Sequence, residues 1–139
     1  MKKPRPYHPF FLASYFVLLL FANSVGEVPF SDVWPTLAAT LLTTLLLFLV
    51  LRMMISDSAK AALVVSILLV MTLSFVRFVV VAILLGIGPL LFCSLWVALF
   101  VAGCYLAVVH CRNLSTMTRV LNFVFGVLVV FNAGNIVLF

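Results

Sequence analysis

The chain has 139 residues, of which 67% are hydrophobic and only 8% are charged. Soluble domains contain about 25% charged residues on average, and a chain this short has no interior large enough to hide so much apolar surface from water. The composition therefore excludes a soluble globular domain and predicts a protein whose solvent is a lipid bilayer. The formal net charge of +5 does not indicate nucleic-acid binding, because the Lys and Arg residues are dispersed between apolar runs and form no patch.

Five apolar runs, separated by short polar or turn-forming segments, predict an all-α fold. Residues 1–9 are basic and proline-rich, and residues 10–139 are expected to form a polytopic transmembrane helical bundle. The first run would span only about 24 Å as a helix, a little short of a hydrocarbon core of about 30 Å. A cleaved signal peptide is the alternative for this run, because a basic segment precedes it. The predicted helices cover residues 10–25, 36–54, 60–85, 90–109 and 120–139.

The distribution of basic residues predicts the topology. Two connectors, residues 26–35 and 86–89, contain no base, whereas bases lie at the opposite ends of the apolar runs. Lys and Arg accumulate in cytoplasmic segments of membrane proteins. We therefore expect a multi-pass protein of a prokaryotic plasma membrane, with its N-terminus in the cytoplasm and its C-terminus outside. The bases assigned to the cytoplasmic side are Lys2, Lys3, Arg5, Arg52, Lys60, Arg112 and Arg119.

Residues at the ends of the apolar runs carry local signals. Tyr7, His8 and Trp34 are expected in the headgroup layer, where amphipathic rings are favoured. Gly and Pro within residues 86–89 predict a turn. Short polar side chains predict helix caps: Ser31 or Asp32 for the second helix, Ser56 or Asp57 for the third, and Ser115 or Thr116 for the fifth.

Small and hydroxyl-bearing residues recur at helical spacing. Thr36, Thr40 and Thr44 form a stripe on the second helix, which we expect to pack against another helix while the hydroxyls bond backbone carbonyls. A polar substrate path along this stripe is the alternative. On the fourth helix, two small-residue stripes are expected to let helices approach closely: Ser94, Ala98 and Ala102, and Gly103 and Ala107.

One group of polar residues is predicted to lie near the outer face. Glu27 and Asp32 belong to the first base-free connector, and Arg77 is the only charge well inside an apolar run. Arg77 is expected in the outer quarter of the bilayer, where it snorkels, pairs with an acid or contacts a lipid headgroup. Asn132 and Asn135 share a face near the outer end of the last helix, where interhelical hydrogen bonding is the simplest role. These five residues form the candidate polar cluster, for which no catalytic role is expected.

No cofactor or metal site is expected. Cys93, Cys104 and Cys111 form no CxxC pair and are expected to behave as small buried hydrophobic residues. His110 and Cys111 are adjacent and so point in different directions on a helix, whereas zinc needs three or four converging ligands. The sequence also contains no P-loop, HExxH, Gly-x-Ser-x-Gly or dinucleotide fingerprint.

Two patterns resemble a known family. The opening HPFFLASYFVLLLFANSVGEVPFSD and the later TMTRVLN are similar to the membrane region of sulfatase-like integral membrane proteins, within the alkaline phosphatase superfamily. The resemblance implies a membrane anchor followed by an outer domain that hydrolyses or transfers sulfate or phosphate esters. The metal-binding carboxylates and nucleophile of that domain have no counterpart here, so no catalytic residue carries over. The matching residues are His8, Pro9, Phe10, Asn23, Gly26, Glu27, Asp32, Thr116, Thr118, Arg119, Leu121 and Asn122.

The expected function is that of a non-catalytic membrane anchor or scaffold. Its partners would be the lipid bilayer and either other membrane subunits or an outer catalytic domain, without nucleic acid. A small transporter or channel subunit is the alternative, as is a structural subunit of a membrane complex. An intramembrane enzyme is disfavoured, because no pair of ionisable residues converges inside the predicted spans.

Overall fold

The part of the chain that the structure describes folds into five α-helices, as its apolar runs predict. A computed structural model describes residues 5–24, 29–110 and 114–137, without the side chains at positions 30, 110, 135 and 137. Within these ranges the chain is helical apart from short turns and contains no strand. The helices are α1 (His8–Asn23), α2 (Val33–Met54), α3 (Ser58–Leu84), α4 (Pro89–Tyr105) and α5 (Leu114–Val137); a 3-10 turn, Phe30–Asp32, precedes α2, and a π-helical turn, Leu106–His110, extends α4.

The outer surface of the bundle is apolar. Four helices, α2 to α5, are long and apolar enough to cross a membrane, counting the π-helical turn with α4. The remaining helix, α1, has 16 residues and is shorter than the other four. Large hydrophobic side chains cover the outside, among them Leu90 and Phe123, which are 87% and 72% exposed. Apolar surface of this extent suits contact with lipid instead of water, and the fold is the all-α membrane helical bundle that the composition predicts.

The shortest helix lies at the centre of the bundle. α1 packs against α2, α3 and α5. Its buried side chains include His8, Leu12, Ala13 and Val17, which follow the spacing of one helical face. α4, by contrast, buries no side chain before its π-helical turn, and α3 is its only neighbour among the described helices. The apolar run that is least able to span a bilayer by itself therefore organises the packing of the others.

α1 and α5 run parallel, in a fixed register. The backbone N–H of Tyr7 donates to Oδ1 of Asn122 across 3.1 Å. One turn further along both helices, Gly126 faces the ring of Phe11, and a Cβ at Gly126 would lie 3.9 Å from that ring. Both pairs are separated by the same interval in sequence, so the two helices advance together along a common direction.

The remaining helices alternate in direction. Phe10 near the start of α1 packs edge-on against Phe48 near the end of α2, with ring centroids 6.2 Å apart. Lys60 at the start of α3 bonds the carbonyl of Val108 at the end of the fourth helix. The bundle therefore has a basic end, defined by Arg5, Arg52, Lys60 and Arg119, and a connector end, defined by residues 29–32 and 85–88.

Aspartates occupy the N-cap positions of both α2 and α3. Asp32 occupies the N-cap position of α2, which starts at Val33, three residues before the predicted position, and includes Pro35 in its first turn. The side chain of Asp32 makes no capping bond. The carboxylate of Asp57 does cap α3, because its Oδ1 accepts a bond of 3.0 Å from the N–H of Ala59, as predicted.

α5 begins earlier than its apolar run. Its first residue is Leu114, whereas the predicted start was residue 120. Ser115 and Thr116 therefore lie inside the first turn and do not occupy the N-cap position. Apolar periodicity marks only the lipid-facing part of a helix, while backbone hydrogen bonding continues through polar residues at its end.

The turn between α3 and α4 is a Schellman motif. Gly86 adopts a φ of 70°, in the left-handed region. Its N–H donates to the carbonyl of Ile83 across 3.0 Å, and the N–H of Ile87 donates to the carbonyl of Ala82 across 2.9 Å. Pro89 then starts α4. The predicted turn is therefore confirmed, with Gly86 at the residue that terminates α3.

We expect Gly86→Ala to lower the free energy of unfolding by about 1–2 kcal/mol, because an alanine in the left-handed region is strained. Gly88→Ala is the matched control, since Gly88 has an extended backbone with a φ of −61° and open space around it. Reversible unfolding in mixed detergent micelles measures both. Equal losses from the two substitutions would contradict this account of the turn.

Candidate functional site

Asp32 lies on an apolar crevice at the connector end. Its carboxylate accepts a bond of 3.2 Å from Ser31 Oγ. The crevice lies between α1 and α2, and its walls include Phe21, Ser24 and Val33. An exposed carboxylate with one hydroxyl neighbour is a solvated group.

Arg77 is exposed on α3. It is 15 residues beyond Ala62, which is close to His8 at the basic end, so it lies about 22 Å further along the helix axis. This places Arg77 near the connector end. Among the described residues its side chain forms neither a hydrogen bond nor an ion pair. An arginine near this end could reach the headgroup layer by snorkelling, and that role of Arg77 stays a prediction.

Asn132 is buried, and among the described residues it bonds only within its own helix. Its Nδ2 donates to the carbonyl of Leu128 across 3.3 Å. No hydrogen bond or ion pair joins Asn132, Arg77 and Asp32 to one another. Glu27 and the side chain of Asn135, the other two members of the candidate polar cluster, lie outside the described residues. The cluster therefore stays a prediction.

The threonine stripe of α2 uses its hydrogen-bonding capacity internally. Thr36, Thr40 and Thr44 each donate to the carbonyl four residues earlier, across 2.8, 2.8 and 2.7 Å. Only Thr44 is buried, while Thr36 is exposed. A hydroxyl that bonds its own helix offers little to a passing solute. The stripe behaves as packing and lipid-facing surface, in agreement with the first of the two interpretations.

The small-residue stripes of the fourth helix have different surroundings. Gly103 faces α3, where a Cβ at this position would lie 3.6 Å from Cγ2 of Ile67. Ala107 is buried in the π-helical turn that follows. The other stripe, Ser94, Ala98 and Ala102, lies on the exposed side of α4. Close helix approach therefore uses the Gly103 stripe only.

The largest departure from expectation is at His8. Predicted in the headgroup layer, this side chain is 0% exposed and lies between α1, α3 and α5. Neither ring nitrogen has a hydrogen-bond partner among the described residues. Its polar neighbours, the Asn122 side chain and the Ala62 backbone, lie outside hydrogen-bonding geometry. The sequence feature that could have predicted the burial of His8 is its spacing of four residues from Leu12, which places both side chains on one face of α1.

A second buried polar atom lies close by. Thr118 precedes Asn122 by one turn on the same face of α5, and its hydroxyl is buried without a partner among the described residues. On α3, one turn beyond Ala62, the hydroxyl of Ser66 is also buried without a hydrogen-bond partner among the described residues. The two helices that surround His8 together with α1 therefore each bury a hydroxyl that has no partner among the described residues, Ser66 on α3 and Thr118 on α5.

Asn122 fastens the N-terminal segment to α5. Its Oδ1 accepts from the N–H of Tyr7 across 3.1 Å, and its Nδ2 donates to the carbonyl of Arg5 across 2.9 Å. One amide thus satisfies a donor and an acceptor of the same non-helical segment. We name this arrangement the Asn122 clamp. Interhelical bonding was the expected role for the asparagines of α5, and Asn122 extends that role to the segment before α1.

The described cysteine and histidine side chains do not converge. Cys93 is exposed on α4, contrary to the expected burial, and Cys104 is half-buried. Cys93 is exposed because α4 packs against one helix only within the described part of the chain. Cys111 and the side chain of His110 lie outside the described residues. Within the ranges that the structure covers, no three His, Cys, Asp or Glu side chains are close enough to hold a metal ion.

We expect Thr118→Val to raise the free energy of unfolding by about 1 kcal/mol or more, because it removes a buried, unpaired hydroxyl while keeping the shape. Thr44→Val is the matched control, since Thr44 is equally buried but donates to Thr40. Unfolding in mixed micelles gives both values. A larger gain at position 44 than at 118 would be the contrary result.

Asn122→Leu is expected to lower the free energy of unfolding by about 1–3 kcal/mol, because it removes two hydrogen bonds to the backbone. It should also speed hydrogen exchange of the Tyr7 amide. Asn132→Leu is the control, since Asn132 bonds only its own helix. Hydrogen exchange followed by mass spectrometry tests this, and unchanged exchange at Tyr7 in Asn122→Leu would show that the clamp is dispensable.

Comparison with protein-family models, with curated proteins and with solved structures finds no match to this chain. The similarity to sulfatase-like membrane regions therefore rests on the sequence patterns alone. The function has to be argued from the geometry of this bundle and its own side chains.

Proposed function

We propose that this chain is a non-catalytic membrane anchor and scaffold. The observation that carries the proposal is the parallel, in-register packing of α1 against α5. With five alternating helices, parallel first and last helices bring the two ends of the bundle's chain out at opposite faces. Such a unit holds whatever follows α5 on the side opposite to residue 5.

The charges support an orientation for this anchor. Arg5, Arg52 and Arg119 are exposed at the basic end, whereas the described part of the connector end has Asp32 and Arg77. The positive-inside rule assigns the basic end to the cytoplasm. The proposed scaffold then carries its C-terminal side outward, in the plasma membrane of a prokaryote.

The resemblance to sulfatase-like proteins gives this anchor a proposed cargo, an outer domain acting on sulfate or phosphate esters. The two patterns that carry the resemblance meet at the basic end, where Tyr7 and His8 lie against Asn122. Thr118 of the second pattern is buried one turn away. This proximity favours assembly of the bundle, and not catalysis, as the role of both patterns.

A transporter is a weaker proposal for the same bundle. It needs polar groups that face a continuous path, and the hydroxyls of the threonine stripe bond their own helix. Flux of a small solute through proteoliposomes that is lost in Asn132→Leu would favour transport instead.

The anchor proposal is tested with a reporter enzyme that is active only outside the cytoplasm. Fused after Phe139, the reporter should be active and stay with membranes after an alkaline wash. Fused after Ser56, in the loop between α2 and α3 at the basic end, the same reporter should be membrane-bound and inactive. Activity of the Ser56 fusion, or release of the Phe139 fusion by the wash, would refute the proposal.

A further inference from the structure

Three exposed arginines give the basic end its unbalanced charge: Arg5, Arg52 and Arg119. The other two ionic side chains described there are engaged elsewhere. The ammonium group of Lys60 donates a hydrogen bond to the carbonyl of Val108, which lies in the π-helical turn. Asp57 uses its carboxylate to cap α3. The arginines therefore lack a local acidic partner among the described residues.

The Asn122 clamp brings two of these arginines together. Nδ2 of Asn122 holds the carbonyl of Arg5 at 2.9 Å. Arg119 precedes Asn122 by three residues, and side chains at this spacing start about 5–6 Å apart on a helix. The two arginines therefore start from neighbouring points of the backbone at the basic end. Two cations that start this close together repel each other, and an anion that both can reach offsets the repulsion.

The face of α5 beyond Arg119 is suited to an acyl chain. Phe123, Val127 and Phe131 follow Arg119 at steps of four residues, so they form one stripe along the helix axis. They are 72%, 51% and 65% exposed. Before Arg119, the first turn of α5 exposes Ser115 and Thr116. Arg119 thus marks the boundary between a polar turn and an apolar stripe, which is the position of the headgroup layer.

We propose that Arg5 and Arg119 bind the phosphate of an anionic phospholipid whose acyl chain lies along Phe123, Val127 and Phe131. Guanidinium groups bind phosphate oxygens through paired N–H donors. Phosphate between the two arginines relieves their repulsion, and the apolar stripe holds the attached chain. A zwitterionic lipid lacks the net negative charge that this pair requires.

The test uses the purified full-length chain in detergent and measures lipid binding by native mass spectrometry. Phosphatidylglycerol should bind more tightly than phosphatidylcholine with the same acyl chains. Arg5→Gln and Arg119→Gln should each weaken phosphatidylglycerol binding about fivefold, and the double variant about 25-fold, from about 1 kcal/mol per base at a membrane surface. Arg52→Gln, with the same loss of charge at the same end, should leave this binding unchanged.

Two further measurements separate headgroup binding from other causes. Circular dichroism should show the same helical content for every variant, so that a loss of binding is not a loss of folding. Glycerol 3-phosphate, which carries the anionic phosphate without a chain, should not displace the lipid. Equal binding of both lipids, an equal loss in Arg52→Gln, or full displacement by glycerol 3-phosphate would each overturn the proposal. None of these results depends on the orientation or cargo of the anchor.

Discussion

The packing of α1 against α5 is the constraint on which the rest of the bundle depends. These helices are far apart in sequence, yet Tyr7 and Phe11 align with Asn122 and Gly126 in a common register. α2 and α3 then cover the remaining sides of α1. In lipid, apolar contact between helices gains little from the hydrophobic effect, so packing of small residues and hydrogen bonds decides the association. Gly126 lies against the ring of Phe11, and Asn122 supplies the hydrogen bonds.

A second constraint is the cost of unsatisfied polar groups away from water. Most of this bundle meets it locally, because the threonines of α2 and Asn132 of α5 bond carbonyls of their own helices. At the basic end, Asp57 accepts from the N–H of Ala59 in its own helix, and Lys60 donates to the carbonyl of Val108 at the end of the fourth helix. His8, Ser66 and Thr118 are the exceptions among the described side chains. These three side chains lie within about one helical turn of the level of His8, near the basic end of the bundle.

Sequence patterns predict the helices well because each apolar run is bounded by charges, Pro or Gly. The cap at Asp57 and the turn at Gly86 could be predicted because both depend on neighbouring residues in the sequence and not on contacts between helices. The start of α5 was less predictable, because residues 114–119 are polar and helical at once. The burial of His8 depends on three helices meeting, which local composition does not encode. Which helix lies at the centre depends on the same kind of contact, and the run with the fewest residues gave no sign of that role.

The pairing of the first helix with the last also sets the order in which the bundle can be completed. α1 leaves the ribosome about 115 residues before Asn122, an interval on the order of 10 s at usual rates of synthesis. During that time the face bearing His8 and Leu12 lacks its final neighbour and must be covered by α2, α3, lipid or the insertion machinery. The N-terminal segment can be fastened only after the first turns of α5 have been made. Assembly of this bundle is thus bound to the synthesis of α5.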